Sequence, residues 1–255
     1  MGLLKIYDNN GKLIEVKEIE GQDVSVIREQ DIVKPKSRVL VVGDLHEPFS
    51  HAKYLDFCVD TYNSFNCNKV VFIGDLVDNH ATSNWGADPE GKSAVDELEF
   101  AVEKLKLWYR RFPEASVLYG NHCTRAFKKA FKAGLPPKWL KEFNELIEAP
   151  KKWKFFDRLF IDSVLYEHGT QSGDMAAVNA ARNHRCSYVQ GHAHSFAGVR
   201  YLASADGSTI FAANVGCGID ENAYAFAYGK SESRRPVISC GVVLEGKQCY
   251  ITKYE

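Results

Sequence analysis

The sequence of 255 residues lacks the features that would place it in a membrane, secreted or strongly charged class. It has no apolar run approaching the roughly 18 residues of a membrane span, and its N-terminus becomes polar too early for a signal peptide. The numbers of basic and acidic side chains are nearly equal, at 32 and 33. Proteins that bind nucleic acid non-specifically usually carry a strong basic surplus. We therefore expect a cytoplasmic globular protein with no membrane partner, and nucleic-acid binding is left only to a local basic patch.

Paired cysteines are missing as well. The seven cysteines are odd in number and scattered along the chain, and no two of them form a Cys-x-x-Cys pair. This pattern excludes a disulfide framework and a cysteine zinc site. We expect the cysteines to be small buried core residues.

What the chain does have is an alternation of buried strands with amphipathic helices. Apolar β-branched runs at 39–42 and 70–73 flank a segment at 51–64 whose apolar side chains have helical spacing. A strand, a helix and a second strand predict a βαβ unit and parallel pairing. The pattern also predicts helices at 93–111 and 173–184, and a helical stretch at 124–147 that is interrupted by Gly134-Leu135-Pro136-Pro137. Strands are predicted at 117–119, 154–161, 163–167, 187–190, 197–202, 209–214, 237–244 and 248–253.

The length and this order predict an α/β fold in a single domain spanning 1–255, with a catalytic core at 37–255. Residues 1–36 read as an N-terminal β-hairpin extension, because alternating apolar residues flank the turn sequence Asn9-Asn10-Gly11. This hairpin would extend a sheet, cover a sheet edge or mediate assembly, and the sequence leaves these roles open.

Five segments that follow predicted strand ends combine a glycine with metal-binding side chains. They are Gly43-Asp44-Leu45-His46, Gly74-Asp75-Leu76-Val77-Asp78, Gly120-Asn121-His122, Glu167-His168-Gly169 and Gly191-His192-Ala193-His194. Because the carboxyl ends of parallel strands meet at one crevice, side chains far apart in sequence can converge there. Carboxylates, imidazoles and an amide oxygen without thiolates suit manganese, iron or zinc better than calcium or magnesium. The five segments together predict a metal site.

In this order the five segments resemble the motifs of the calcineurin-like metallophosphoesterases, namely Asp-x-His, Gly-Asp-x-x-Asp, Gly-Asn-His, a lone His and Gly-His-x-His. The resemblance spans residues 44–194 and is strongest to small bacterial and phage-type members. It implies an αββα sandwich of two mixed sheets, with a dimetal site at the C-terminal ends of the strands. It also implies that Asp75 bridges two metal ions and that the other ligands are Asp44, His46 and His194 for one ion and Asn121, His168 and His192 for the other.

The resemblance further implies hydrolysis of a phosphate ester by metal-bound hydroxide. Two divalent ions about 3.5–4 Å apart lower the pKa of a shared water and stabilise charge in an in-line displacement. His122, beside the ligand Asn121, is the expected proton donor to the leaving oxygen, and Asp78 is expected to orient its imidazole. Arg125 is placed to contact a phosphate oxygen.

Each of these three roles has an alternative that the sequence leaves open. His122 would instead be a structural neighbour or a transient ligand. Asp78 would cap the next turn. Arg125 would be a surface arginine at the start of a helix.

Two positions depart from better-known relatives. Asn79 stands where the phosphoprotein-phosphatase branch has an arginine that clamps phosphate, which counts against a phosphoprotein phosphatase. Cys123 follows the Gly-Asn-His motif, where the wider family commonly has an acidic residue. We also expect His80 and Trp85, in the loop 79–92, to form one wall of the substrate cleft, with ordinary packing as the alternative for Trp85.

These observations together predict a two-metal phosphodiesterase that acts on a small nucleotide-like substrate, with Mn²⁺ as the first choice of ion and Fe or Zn as alternatives. The short chain without a capping domain and its balanced charge favour an open site. The alternatives are a DNA or RNA nuclease of the same fold, a phosphomonoesterase and a non-catalytic metal-binding scaffold. All seven ligand positions and His122 are present, which speaks against the scaffold.

Overall fold

The computed structural model describes residues 2–7, 13–19, 36–83, 91–222 and 235–255. The chain divides into two compact units, Met1–Lys36 and Ser37–Glu255. The first unit contains two antiparallel strands, β1 (Gly2–Tyr7) and β2 (Leu13–Ile19), with Gly2 opposite Ile19. The Asn9-Asn10-Gly11 turn that the sequence predicts between them lies outside the described residues.

Two mixed sheets form the centre of the second unit. The first sheet consists of β3 (Arg38–Val42), β4 (Lys69–Phe72), β5 (Ala115–Leu118), β6 (Trp153–Phe156), β12 (Ser239–Leu244) and β13 (Gln248–Lys253). Its order is β13-β12-β3-β4-β5-β6, and β3 to β6 are parallel. The second sheet consists of β7 (Leu159–Ile161), β8 (Val164–Tyr166), β9 (Ser187–Gln190), β10 (Ala197–Ala203) and β11 (Thr209–Val215), in the order β10-β11-β9-β8-β7.

Strand β3 shows why these sequences form buried strands. Its residues alternate between two apolar environments, with Val39 and Val41 facing the second sheet and Leu40 and Val42 facing the helices. Since both faces are covered, the strand is apolar without a break, as buried parallel strands are. The core between the sheets therefore comes from apolar residues of both.

Helices cover the outer faces of the two sheets. The α-helices are α1 (Tyr54–Ser64), α2 (Ala94–Arg111), α3 (Arg125–Lys132), α4 (Phe143–Leu146) and α5 (Ala176–His184). Helices α1, α2 and α4 contribute to the core on the first sheet, and α5 packs on the second. The result is a mixed α/β fold with helices outside two central mixed sheets, so the predicted fold class is confirmed. No helix in the described ranges is long and apolar enough to cross a membrane.

One predicted element differs from the structure. The strand predicted at 154–161 is wrong, because β6 and β7 are separate strands in different sheets. The chain crosses between the sheets at the polar pair Asp157-Arg158, which is too short an interruption to show in the apolar pattern. The interruption predicted at 134–137 within the helical stretch 124–147 agrees with the structure, where α3 ends at Lys132 and is followed by a short 3-10 helix at Pro137–Trp139 and by α4.

Candidate metal centre and active site

The predicted ligands come together where five strands end. Residues after β3, β4 and β5 reach the site from the first sheet, and residues after β8 and β9 reach it from the second. Ligands from both sheets thus converge on one buried centre. The contacts below involve Asp44, His46, Asp75, Asn121, His168, His192 and His194.

Two glycines allow the backbone to approach the carboxylates closely. A Cβ atom on Gly120 would fall on Asp75 Oδ1, and a Cβ atom on Gly191 would fall on Asp44 Oδ1. In the structure the backbone N–H groups that follow donate to these same carboxylates, from His122 to Asp75 Oδ1 and from His192 to Asp44 Oδ2, each at 2.8 Å. Any larger residue at either glycine would therefore displace a ligand.

The backbone itself is unusual at three of the ligands. His46, Asp75 and His192 have φ values of 52°, 44° and 65°, in the left-handed region that residues other than glycine seldom adopt. Such conformations persist where surrounding structure enforces them, and they cluster at functional sites. Here the sharp turns direct three side chains into the same centre.

The first group of ligand atoms comes from Asp44, His46 and His194. His194 Nε2 lies 2.9 Å from Asp44 Oδ2 and 3.2 Å from His46 Nε2. On the other side of its ring, His46 places Nδ1 at 2.6 Å from Asp78 Oδ1. Because a carboxylate only accepts hydrogen bonds, Nδ1 carries the proton and the Nε2 lone pair points into the centre.

The second group comes from Asp75, Asn121, His168 and His192. Asn121 Oδ1 lies 2.9 Å from His168 Nε2 and 3.0 Å from His192 Nδ1. His168 Nδ1 donates to the backbone carbonyl oxygen of Ile73 at 3.1 Å. Its Nε2 faces Asn121 Oδ1 and Asp75 Oδ2, which lies 3.2 Å away, and offers a lone pair to an ion when it gives up its proton.

These donor sets fit divalent ions. Asp44 Oδ1 and Asp75 Oδ2 are buried oxygens without a hydrogen-bond donor of good geometry, and acceptors left in this way are costly unless a cation satisfies them. Asp75 lies between the groups, because Oδ2 is 3.7 Å from His46 Nε2 and 3.2 Å from His168 Nε2. The chain thus concentrates hard oxygen atoms and imidazole nitrogens as manganese, iron and zinc sites do.

The pKa values within the cluster are shifted by burial and by mutual charge. Burial alone would raise the pKa values of Asp44 and Asp75, but imidazoles, chiefly that of His168, hold both below the ordinary value. Burial opposes protonation of His168, yet the two carboxylates outweigh it and raise its pKa to about 9. A divalent ion that binds beside His168 therefore replaces a proton.

Asp78, His122 and Arg125 form a chain of contacts beside the ligands. His122 Nδ1 lies 2.7 Å from the backbone carbonyl oxygen of Asp78 and 3.2 Å from Asp78 Oδ1, so Nδ1 carries a proton. Arg125 Nη2 donates to His122 Nε2 at 2.8 Å, and Nη1 donates to the Asp78 carbonyl oxygen at 3.1 Å. Burial lowers the pKa of His122, but the carboxylates of Asp75 and Asp78 raise it above its usual value.

The structure answers some of the open alternatives. The 3-10 helix His80–Thr82 begins after Asn79 without a side-chain cap, and the Asp78 carboxylate contacts two imidazoles instead. Asn79 Nδ2 donates to the His122 carbonyl oxygen at 2.8 Å. Cys123 is buried in the core, and burial raises the pKa of its thiol to about 12. Trp85 and most of the predicted wall lie outside the described residues.

Two buried glutamates near the site escaped the sequence analysis. Glu97, on α2, accepts hydrogen bonds from the backbone N–H groups of His80 at 2.7 Å and Ala81 at 2.8 Å. Glu47 accepts from the Trp108 indole N–H at 3.0 Å, directly after the ligand His46. The signal in the sequence was a carboxylate at a position of the buried helix face for Glu97, whereas nothing in the local pattern distinguishes Glu47.

No curated protein matches the chain by sequence. Among solved structures, vacuolar protein sorting 29 from Cryptosporidium parvum is 15% identical, with 86% of this chain and 98% of that chain covered and a TM-score of 0.41. A metallophosphoesterase from Sphaerobacter thermophilus is 13% identical, with 86% and 88% covered and a TM-score of 0.42. The nuclease MPE from Pseudomonas putida is 11% identical, with 84% and 87% covered and a TM-score of 0.31.

The family of the chain is assigned by a family model, because the solved structures above are too distant to assign it. The model described as calcineurin-like phosphoesterase matches residues 37–215. The matched range runs from the start of β3 to the end of β11 and contains all seven residues of the two ligand groups. Since it covers more than half of the chain, the family predicted from the order of the five motifs is confirmed, and this chain belongs to the calcineurin-like phosphoesterases.

Proposed function

We propose that this chain is a metal-dependent phosphodiester hydrolase. The observation that carries the proposal is the pair of buried carboxylate oxygens, Asp44 Oδ1 and Asp75 Oδ2, that lack a hydrogen-bond donor of good geometry within a cluster of imidazoles. One divalent ion would be held by Asp44, His46 and His194, and a second by Asn121, His168 and His192, with Asp75 between them. Mn²⁺ is our first choice, because the mixed oxygen and nitrogen ligands suit it.

When bound, two divalent ions supply Lewis-acid stabilisation of the phosphate oxygens and a water of lowered pKa. The exposure of the side chains around the site determines from which side a substrate approaches. The carboxylates of Asp44 and Asp75 are fully buried, whereas Asn121, His192 and His194 are partly exposed. A phosphate therefore reaches the centre from the side of these three residues.

His122 is the group that would protonate the leaving oxygen. In the present arrangement its Nδ1 proton is bound by Asp78, and its Nε2 accepts from Arg125. A proton on Nε2 requires the Arg125 guanidinium to leave that nitrogen. We infer that an entering phosphate draws Arg125 to one of its oxygens, after which Nε2 takes up a proton and faces the leaving group.

The substrate proposed here is a diester of nucleotide type. Asn79 turns its amide to the His122 backbone rather than to the cleft, so this position supplies no second cationic clamp. A singly charged diester needs fewer cationic contacts than a dianionic monoester. A nuclease is the second candidate, and it is favoured by the run of cationic side chains that begins at Arg125.

The experiment compares hydrolysis of bis(p-nitrophenyl) phosphate and p-nitrophenyl phosphate by the Mn²⁺-loaded protein, with Asp75→Asn and the exposed control Asp60→Asn. We expect cleavage of the diester to exceed that of the monoester. The turnover of Asp75→Asn should fall by more than about 100-fold, because substitution of residues that only hydrogen-bond to metal ligands already lowers activity by up to that factor. Asp60→Asn should keep wild-type turnover. Wild-type protein that cleaves neither ester with two ions bound would overturn the proposal.

A further inference from the structure

A strongly basic segment follows directly after the Asn121-His122 motif. Residues 125–141, called the basic segment below, contain six cationic side chains and no anionic one. They are Arg125, Lys128, Lys129, Lys132, Lys138 and Lys141. The formal charge of the entire chain is -1, so this concentration of positive charge is local. Within the part of the chain that the structure describes, none of the six side chains forms an ion pair with a carboxylate.

Helix α3 arranges four of these cations in a stripe that starts at the active site. Residues 125, 128, 129 and 132 are three, four and seven positions apart, so they lie on the same helix face. Arg125 contacts His122 at the beginning of the stripe. Eight helical residues rise by about 12 Å, so the cationic stripe extends for that length away from the active site.

Large apolar side chains are exposed on α3 and on the segment that follows it. Phe127 packs against the core, but Phe131, one turn further on, is 73% exposed. Trp139 is 69% exposed and Leu135 is 41% exposed. Among the described residues, neither Phe131 nor Trp139 has an aromatic partner. Exposed rings in a segment rich in cations form the kind of platform on which unpaired bases stack.

The basic segment also forms hydrogen bonds with the backbone of residues 78–83, beside the active site. Lys129 Nζ donates to the Ser83 carbonyl oxygen at 3.1 Å, and Arg125 Nη1 donates to the Asp78 carbonyl oxygen at 3.1 Å. These contacts join both turns of α3 to the loop that carries Asp78. A ligand lying along the stripe is therefore led to His122.

We propose that the basic segment binds single-stranded nucleic acid and presents one of its phosphodiesters to the metal centre. This inference rests on the proposed phosphodiester hydrolase function and names its substrate. The lysines match the phosphates in charge, and Phe131 and Trp139 accept stacked bases. A single strand fits better than a duplex, since only unpaired bases can turn their faces to protein rings.

The test measures binding of the full Mn²⁺-loaded chain to a fluorescein-labelled phosphorothioate dodecamer of thymidine, by fluorescence anisotropy over a range of KCl concentrations. We expect Phe131→Ala and Trp139→Ala each to weaken binding by about 5- to 150-fold. Lys128→Glu and Lys132→Glu should each reduce the slope of log affinity against log salt by about 0.7.

The matched controls are Phe160→Ala, at a 62% exposed ring on β7, and Lys247→Glu, at an exposed lysine near β13. Both should bind the oligonucleotide like the wild type. Equal losses in the controls, or unchanged binding in Phe131→Ala and Trp139→Ala, would overturn the proposal. The proposal would also be overturned if the wild type bound vesicles of phosphatidylcholine with one-fifth phosphatidylserine through the same two rings and did not bind the oligonucleotide.

Hydrolysis of bis(p-nitrophenyl) phosphate by the wild type separates this inference from the function on which it rests. If the wild type hydrolyses the small diester but does not bind the oligonucleotide, only the proposal of a nucleic-acid substrate is overturned. Oligonucleotide binding that depends on the two rings, without any hydrolysis of the small diester, removes the hydrolase function itself.

Discussion

The Asp78 carboxylate serves two imidazoles with one oxygen. Oδ1 lies 2.6 Å from His46 Nδ1 and 3.2 Å from His122 Nδ1. His46 belongs to the first ligand group, and His122 is the proposed proton donor. Because the same carboxylate contacts the Nδ1 atoms of both rings, metal affinity and proton transfer are coupled through this one residue.

Replacing Asp78 with asparagine should therefore impair two properties at once. Asparagine keeps an oxygen between the two rings but removes the negative charge that strengthens the hydrogen bonds from both of them. We expect Asp78→Asn to lower Mn²⁺ affinity by about 10- to 100-fold and to lower turnover even at saturating Mn²⁺. Mn²⁺ titration of activity measures both effects, with the exposed Asp56→Asn as the control. Unchanged affinity and turnover in Asp78→Asn would contradict the coupling.

His122→Ala should show an effect that depends on the leaving group. A proton donor matters for a poor leaving group and hardly at all for p-nitrophenolate, which is stable as an anion. We expect a loss of about 10²- to 10⁴-fold in kcat for a diester with an alkyl leaving group, and a much smaller loss for bis(p-nitrophenyl) phosphate. Equal losses with both substrates would show that His122 acts structurally.

The residue types of the centre could be predicted from sequence, but several of their contacts could not. Recurrent Asp, His and Asn after glycine identified the seven candidate ligands, because strand ends of a parallel sheet converge. The contact from Arg125 to His122 depends on how a helix start is oriented against a loop. That orientation is set by packing between elements distant in sequence, so no local pattern reveals it.

At the scale of elements, α2 supports the loop that carries Asp78. The Glu97 carboxylate is buried, and it accepts hydrogen bonds from two successive backbone N–H groups of the turn, at His80 and Ala81. A helix that also contributes to the hydrophobic core thereby fixes the position of a polar loop at the active site. In the described part of the chain, the hydrogen bonds of this side chain go to the turn and not to a ligand or to His122.

Glu97→Gln tests this support. Glutamine keeps one acceptor but turns its NH₂ group towards a buried backbone N–H, which leaves that donor unsatisfied. We expect a loss of about 1–3 kcal/mol in the free energy of unfolding, measured by urea denaturation. Glu99→Gln, at an exposed position of the same helix, is the matched control and should stay within about 0.5 kcal/mol of the wild type. Equal stability of the two variants would contradict the role of Glu97.

At the same scale, the basic segment shows that the net charge of a whole chain can conceal a local concentration of positive charge. The balanced charge of the whole chain suggested no attraction to nucleic acid, although six cations lie within 125–141. The sequence contained this signal, and a charge count over windows would have revealed it. The exposure of Phe131 and Trp139 was not predictable, because it depends on where the core ends beneath α3.

At the scale of the whole molecule, the candidate metal centre lies where strands of the two sheets end. Asp44, Asp75 and Asn121 follow strands of the first sheet, whereas the three histidines at 168, 192 and 194 follow strands of the second. The mixed fold and most of its strands could be predicted from apolar periodicity. The crossing at Asp157-Arg158 could not, since apolar residues continue on both sides of it and the choice of sheet is a tertiary effect.

Metal binding should consequently stabilise the entire second unit. Mn²⁺ at about 100 times its Kd stabilises the folded state by about 2.7 kcal/mol, and at about 2–4 °C per kcal/mol for a chain of this size the Tm rises by about 5–10 °C. Thermal unfolding with and without Mn²⁺ measures this rise. Asp75→Asn should show little of it and Asp60→Asn all of it, whereas an equal rise in both variants would place the ion elsewhere.

The most direct test of the account is a Mn²⁺ titration of metal-stripped protein in which bound ions per chain and hydrolysis of bis(p-nitrophenyl) phosphate are measured on the same samples. The two ligand groups that share Asp75 predict that binding saturates at two ions per chain and that activity develops as the second ion binds. Full activity with one ion, or with none, would contradict a two-metal centre built from these seven side chains.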